Sequence, residues 1–474
     1  MSEIITPDLC IIGAGAGGLA LATGAAALGA KVVLVESGRL GGQRLHSGCI
    51  PTRALIAAAR AAQQTQHSQP LGVSVAGRGV DAHLVRGFIA GAMAPRAAYD
   101  SRARLTGLGI RVIEAAGRFI NKDTCAAADC LVKARRFVVA TGSLPVIPVI
   151  PGLEMIRYLT TDSFFVDAIL PGKLLILGAG PSAVEIGQAC LRLGSEVTLI
   201  EKQQALGDVD PELRGPALAA CRREGMVIRE SSTLTRLEPH GAGLLAHVEG
   251  PEGTSVVEAS HLLLAVGRQP HVHSLGLDAA GVPIKNGRIE VDAHLCTANK
   301  LIYAAGDVVG RGCFTHLAAY HAESLLRHVV AGRRPRPSVA PLPRVVATDP
   351  EIAEIGLSEA QARAAHRQIA VYRWPMAEND RARTAGNTSG LIKIMTRRNG
   401  VILGVGIVGE GAGEMLALWS LALQRHLKLS DLAGLQLPYP SRSDIAREAA
   451  LQVPGTRPRI SGMMRLKMLL RGAR

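Results

Sequence analysis

Aromatic side chains are scarce in this chain of 474 residues: Phe, Trp and Tyr together make up 3%. Its core must therefore be assembled from Ala, Val, Ile and Leu, with 53 glycines in the turns. That composition suits layered α/β packing better than a β-sandwich. No run approaches the roughly 20 apolar residues of a membrane span. The first apolar run is broken by glycines and has no basic stretch ahead of it, so no targeting segment is expected. The eight cysteines, at 10, 49, 125, 130, 190, 221, 296 and 313, never stand two residues apart. This excludes metal sites of that spacing, so no metal is expected, and scattered thiols point to a reducing cytoplasm. Acid is scarcer than base, 39 Asp+Glu against 53 Lys+Arg, for a net charge of +14. No basic run is interleaved with aromatics, so no nucleic-acid partner is expected, and the excess is read as general basicity together with anionic cofactors.

What the chain does have is a repeated unit. The apolar segment Asp8 to Ile12 runs into Gly13-Ala-Gly15-Ala-Gly-Gly18, an Ala/Leu-rich helix follows, and a second strand from Lys31 to Val35 ends in Glu36. Gly13 allows a tight turn, Gly15 lets a pyrophosphate approach the backbone, and Gly18 permits close helix-strand packing. The helix N-terminus faces the phosphates, and Glu36 accepts ribose hydroxyls. Beyond a linker marked by Pro145, Pro148 and Pro151 the unit recurs: Leu174 to Leu177, then Gly178-Ala-Gly180-Pro-Ser-Ala183, a helix, and Val197 to Ile200 ending in Glu201. Two such units distinguish a two-nucleotide protein from a simple dehydrogenase. An acid at 201 suits the 2′-hydroxyl of NAD and repels the 2′-phosphate of NADP, with Ala183 and Lys202 weighing the other way.

Between the units lies Leu40-Gly-Gly42-Gln-Arg44-Leu-His-Ser-Gly-Cys49-Ile-Pro-Thr-Arg53, which resembles the redox-active disulfide loop of the FAD-containing pyridine nucleotide-disulfide oxidoreductases. That loop carries two cysteines with four residues between them, followed by Ile/Val-Pro-Ser/Thr-Lys. Here the second cysteine is Cys49 and the first position is Arg44. The resemblance implies a flavin-facing thiol without its exchange partner, with Arg53 in place of the family lysine and paired to Glu185. A guanidinium at 44 is expected to favour the Cys49 thiolate. Cys125 and Cys130 share the four-residue gap but fall where the family has a β-meander, and are read as incidental.

Further matches follow in the family's order. Arg111 to Phe119 resembles the strand whose glycine, here Gly117, meets the adenine; Ala140-Thr141-Gly142 resembles the turn near the flavin; Leu262 to Pro270, with Gly267, resembles the return from the nucleotide domain; and Leu301 to Asp307, with Gly306, resembles the segment whose aspartate binds the flavin's ribityl or pyrophosphate portion. Near the C-terminus the family's His-Glu pair, which enters the partner subunit's active site, is represented by Tyr439 and Asp444, the tyrosine as in mercuric reductases. A neutral phenol donates a hydrogen bond but is a poor base at neutral pH. Mercuric reduction proper is not expected, since the sequence shows neither the C-terminal cysteine pair of mercuric reductases, its last cysteine being Cys313, nor a metal-binding domain ahead of Gly13.

The expected architecture is α/β: two Rossmann-like dinucleotide-binding domains, for FAD and NAD(P), plus a C-terminal α+β dimerisation domain. The boundaries read as 1–150 and 272–343 for FAD, 151–271 for NAD(P), 344–454 for dimerisation, and 455–474 for a basic tail. The tail is open to two readings, a weak membrane-surface helix or a disordered or self-packed segment. The expected activity is hydride transfer from NAD(P)H, NADH favoured, through FAD to a small non-disulfide acceptor such as a quinone, dioxygen, a peroxide or a nicotinamide, in a cytoplasmic homodimer. The alternatives are a disulfide reductase using a displaced cysteine and a non-catalytic flavoprotein subunit.

Overall fold

The structure, a computed structural model, describes residues 3–66, 68–76, 79–166, 170–310, 312–331 and 341–456. The basic run of the tail, from 457 onward, lies outside the described residues. The chain divides into two units, Met1–Ala205 with Glu224–Val339, and Leu206–Arg223 with Ala340–Arg474.

In the first unit, Leu9–Ile12 is the central strand of a parallel sheet whose order is Ile302–Ala304, Arg136–Val139, Leu9–Ile12, Val32–Glu36, Arg111–Glu114. Side chains alternate across a strand. Cys10, Ile12, Val33, Val35, Phe137 and Val139 accordingly enter one buried cluster, and Leu9, Ile11, Val32, Leu34 and Val138 another. Both faces are covered, as a parallel sheet requires. Helices Ala16–Ala27 and Thr315–Ala331 pack together. The expected meander is present, with Cys125–Ala127 and Cys130–Val132 as antiparallel neighbours.

A second parallel sheet in the same unit has the order Tyr158–Thr160, His261–Leu264, Lys173–Leu177, Glu196–Ile200, Val227–Arg229. Its central strand again feeds a glycine-rich turn and a helix, Pro181–Arg192. Arg268–Pro270 pairs with Ser143–Pro145, so the chain returns from the second nucleotide unit alongside the strand by which it left the first.

The other unit is built on a five-stranded antiparallel sheet ordered Arg344–Val346, Glu351–Gly356, Ile402–Gly409, Leu391–Arg397, Ile369–Pro375. Helix Ala412–Gln424 lies on it and buries Trp419. Helix Pro211–Arg223, though it falls between strands of the second nucleotide sheet in sequence, packs here. A Cβ on Gly406 would sit 2.2 Å from Leu213 Cδ1, so the glycine lets the Leu213 side chain of that helix pack closely on the sheet.

Candidate active site

The two glycine-rich turns form matching cradles. Gly13 has φ of +108°, and a Cβ there would meet Ala140 O at 2.4 Å. At Gly18 a Cβ would lie 1.9 Å from Gly13 O. Gly15 is different: a Cβ would meet nothing within 4 Å, and the residue caps helix Ala16–Ala27 with no side-chain hydrogen bond to its amides. First-turn N–H groups thus face open space, the arrangement that binds a phosphate. Gly42 leans on this cradle, since a Cβ on it would come within 2.9 Å of Gly15 Cα. Glu36 accepts hydrogen bonds from Ala14 N and, at 2.7 Å, Gly38 N. Each carboxylate oxygen keeps a lone pair for a hydroxyl.

At the second cradle Gly178 has φ of +102° and abuts Ala265 O, while Gly180 opens onto free space at the start of helix Pro181–Arg192 without a side-chain cap. Glu201 accepts from Ala179 N and Gln203 N, both at 2.9 Å, reproducing the Glu36 clamp. Ala183 occupies the third small position and is buried. Close helix-sheet approach shifts one turn on, to Gly187, where a Cβ would touch Ile176, Leu199 and Met226 at 3.3 Å. Gly117 lies under the first cradle, its would-be Cβ pressing on Ile12 and Val35 at 3.2 Å. The residues present therefore fit two dinucleotides, one at each cradle.

Asp307 follows Gly306, whose φ is +77°. Its Oδ2 accepts from Ser143 Oγ at 2.7 Å. Arg268 Nε donates to the same Ser143 Oγ at 3.0 Å and Nη2 to Ser143 O at 2.7 Å, while Nη1 reaches Asp162 Oδ1 at 2.8 Å. Ser47 Oγ donates to that Asp162 oxygen at 3.0 Å. A continuous polar chain thus runs from Asp307 to the Cys49 loop. Buried His321 accepts from Gly306 N at 3.2 Å through Nδ1 and steadies the turn. Thr141 Oγ1 donates to His271 O at 2.7 Å, and Gly142 and Gly267 take positive φ beside it. Arg268 stands in a motif read from sequence; Ser143, Asp162 and His321 carried no sequence signal.

Cys49 begins helix Cys49–Gln66, and its exposed Sγ lies 3.2 Å from Thr315 Oγ1. No disulfide joins any of the eight cysteines, all of which are among the described residues. Cys125 is buried, which pushes its thiol up to about 12. Arg44, expected to act on Cys49, is committed first to Asp100, Nη2 to Oδ2 at 2.7 Å. Asp100 also receives Arg96 through Nε at 3.0 Å and Nη2 at 2.9 Å. The helix carrying Arg53 packs against the helix carrying Glu185.

In the other unit, Tyr439 is 76% exposed, and its Oη donates to Asp380 Oδ2 at 2.7 Å. That bond holds the phenol above its ordinary value, so it stays a neutral donor. Asn379 Nδ2 donates to Ser441 O at 2.9 Å, tying the same two segments together. Asp444 heads helix Asp444–Ala450. The residue that sequence reasoning missed here is Asp380, an unremarkable acid 59 positions from its tyrosine.

With two nucleotide cradles, an aspartate turn and a separate antiparallel domain, the chain belongs to the pyridine nucleotide-disulphide oxidoreductases. That family's model matches residues 7–324, and its dimerisation-domain model matches residues 342–450. The family is FAD-dependent and uses pyridine nucleotides, and the protein is an oxidoreductase of this flavoprotein class. The chain is 33% identical over 454 residues to a mercuric reductase of Streptomyces lividans, covering 94% of this chain and 95% of that one. It is 30% identical over 460 residues to a dihydrolipoyl dehydrogenase of Staphylococcus aureus, covering 95% and 97%. Among solved structures it resembles the HOCl-induced flavoprotein disulfide reductase RclA from Escherichia coli, with a TM-score of 0.83, 25% identity, and coverage of 94% and 100%. No described helix is long and apolar enough to cross a membrane.

Proposed function

We propose that the protein is a cytoplasmic, homodimeric FAD-dependent NAD(P)H oxidoreductase that passes electrons to a non-disulfide acceptor: a quinone, dioxygen, a peroxide or a nicotinamide. The observation that supports this reading is the Arg44–Asp100 ion pair, Arg44 being the residue that the loop's resemblance aligns with the family's exchange thiol. Cys49 has no loop partner, and a single thiol cannot complete intramolecular dithiol-disulfide exchange. FAD, when bound, supplies two-electron chemistry; Gly13, Gly15, Gly18 and Glu36 would hold its adenosine and pyrophosphate, and Asp307 its ribityl portion. Gly178, Gly180 and Glu201 would hold the nicotinamide nucleotide, with NADH favoured. Tyr439 is kept neutral by Asp380, to which it donates its single O–H; by the family resemblance it would enter the partner subunit's site, where that O–H would have to turn from Asp380 to serve as a hydrogen-bond donor.

The test is steady-state NADH oxidation by the flavin-loaded protein with quinones, dioxygen, peroxide, lipoamide and glutathione disulfide. Turnover of a non-disulfide acceptor and negligible turnover of both disulfides is the expected result. Efficient disulfide turnover defeats the reading and favours a displaced thiol, for which exposed Cys313, 3.8 Å from Ser143 Oγ, is the candidate. Sedimentation at micromolar concentration should show a dimer; a monomer would remove Tyr439 and Asp444 from the site.

A further inference from the structure

The Arg268 guanidinium has all of its N–H groups in use. Nε donates to Ser143 Oγ at 3.0 Å, Nη2 to Ser143 O at 2.7 Å and to Asp162 Oδ2 at 3.2 Å, and Nη1 to Asp162 Oδ1 at 2.8 Å and Thr161 Oγ1 at 3.1 Å. A planar fork of this kind is available to arginine and not to lysine, whose ammonium is a single point of charge. The Arg268 side chain is 12% exposed, so it is held by these partners rather than by water.

The direction of each bond is fixed by chemistry. Arg268 can only donate, so Ser143 Oγ accepts from it and its single O–H goes to Asp307 Oδ2 at 2.7 Å. Buried Ser47, in the Cys49 loop, gives its O–H to Asp162 Oδ1 at 3.0 Å. Asp162 lies in the turn after strand Tyr158–Thr160, and Arg268 opens the strand that pairs with Ser143–Pro145. One cation therefore gathers segments that are far apart in sequence, at 47, 143, 162 and 307.

We propose that Arg268 and Asp162 are positioning residues for the flavin reaction. They hold the Asp307 turn and the Cys49 loop in one frame, Arg268 reaching Asp307 through Ser143 and Asp162 reaching the loop through Ser47. Neither belongs to a glycine cradle, so each acts through its neighbours and not on a substrate. The inference rests on the reading of Asp307 as a residue that holds FAD.

The test combines amide hydrogen exchange, read by mass spectrometry on the flavin-loaded protein, with the rate of FAD release on dilution. Ser47 N and Gly48 N, both bonded to Gln43 O, report the loop, and Gly310 N, bonded to Asp307 O, reports the turn. Ser47→Ala should speed exchange at least threefold in the loop alone, Ser143→Ala in the turn alone, and Arg268→Met in both. Arg268→Lys should restore no more than one of the two. Ser143→Ala and Arg268→Met should each release FAD about three- to fivefold faster, and the double variant no more than about twofold faster than Ser143→Ala, because both act along one path. Should Arg268→Met fail to fold with Asp162 left unpaired, Arg268→Met/Asp162→Leu removes both charges and should loosen the same two segments. In stopped-flow reduction by NADH, Arg268→Met should lower the limiting rate at least fivefold while the half-saturating NADH concentration changes less than twofold, a split that damage to the nucleotide cradle would not give. An Arg268→Met protein in which only one segment loosens, or in which the Gly178 cradle loosens equally, overturns the proposal, as do FAD losses that multiply in the double variant. A protein that binds no FAD would defeat the proposed function instead, and the exchange pattern would then decide the frame by itself.

Discussion

Glu201 is the residue on which the proposed preference for NADH rests. Its two oxygens are each engaged by one backbone N–H, from Ala179 and Gln203 at 2.9 Å, so the carboxylate is fixed in position and one lone pair per oxygen remains for the ribose. A 2′-phosphate brought to about 4 Å would meet roughly 4 kcal/mol of repulsion per unit charge at an effective dielectric near 20. Solvent and the neighbouring Lys202 should screen more than half, leaving about 1.5–2 kcal/mol, or roughly a 10- to 30-fold preference for NADH. Glu201→Ala should cut NADH-driven flavin reduction by roughly 30-fold through lost ribose bonds and bring the NADH to NADPH ratio to within about threefold. It should also cost about 1–2 kcal/mol of stability, because the part-buried Ala179 N–H loses its acceptor while the more exposed Gln203 N–H turns to water. Stopped-flow reduction of the bound flavin at matched nucleotide concentrations measures both numbers. Faster reduction by NADPH in the unmodified protein, or a Glu201→Ala ratio that stays above tenfold, refutes the reasoning.

Asp307→Ala should weaken FAD retention at least tenfold, read by flavin lost on gel filtration; it also leaves Ser143 Oγ without its acceptor, so Ser143→Ala, which removes the donor instead, should retain FAD better. Cys49→Ser should leave disulfide reduction at its negligible level and abolish any long-wavelength band of the oxidised flavoprotein; a band that survives rules Cys49 out as its donor. Lys393 is 3% exposed and lies 2.7–3.1 Å from Asp210, Glu212 and Glu359, so Lys393→Met should destabilise its unit by about 3 kcal/mol in urea unfolding at pH 7, and a loss below about 1 kcal/mol would contradict the assignment. The Arg373 guanidinium, aided by Lys393, lowers Glu212 from its ordinary 4.5 to about 2, so its contribution is fully present above pH 4.5 and lost as pH falls through 2. The full gap corresponds to about 3 kcal/mol, and because the Glu212 side chain is 38% exposed, about 1–2 kcal/mol should be found by comparing Glu212→Gln with the parent at pH 7, more than half of it lost by about pH 3.

The nucleotide domains were legible because their determinants are local. A glycine turn, a helix and a terminal acid lie within about 25 residues, and backbone geometry at Gly13 and Gly178 leaves little freedom in how they assemble. The acids at 36 and 201 were found by position, yet their second task, clamping the glycine turn through backbone amides, shows only in the structure. Partners set by tertiary contact were not legible. Asp100 lies 56 residues from Arg44 and Asp162 lies 115 from Ser47, with no periodicity or motif to connect them. The same holds for Asp380 beneath Tyr439 and for helix Pro211–Arg223, whose Leu213 packs against the distant Gly406.

The consequence for the Cys49 loop follows from replacing one kind of link by another. A disulfide within the loop would change its covalent length each time electrons passed, whereas the present loop is held by Arg44 to Asp100 at one end and by Ser47 to Asp162 and Arg268 at the other. None of these groups takes up or gives up electrons. Asp100 terminates helix Ala82–Tyr99, and Asp162 leads through Arg268 and Ser143 to Asp307, so the loop is anchored to two separate parts of the first unit. Its geometry should therefore be the same in the oxidised and reduced protein, and Cys49 should keep one position beside Thr315 through the cycle. A thiol held at one place in a loop of fixed geometry suits the proposed direct electron delivery to a bound acceptor, because no loop rearrangement has to accompany each turnover.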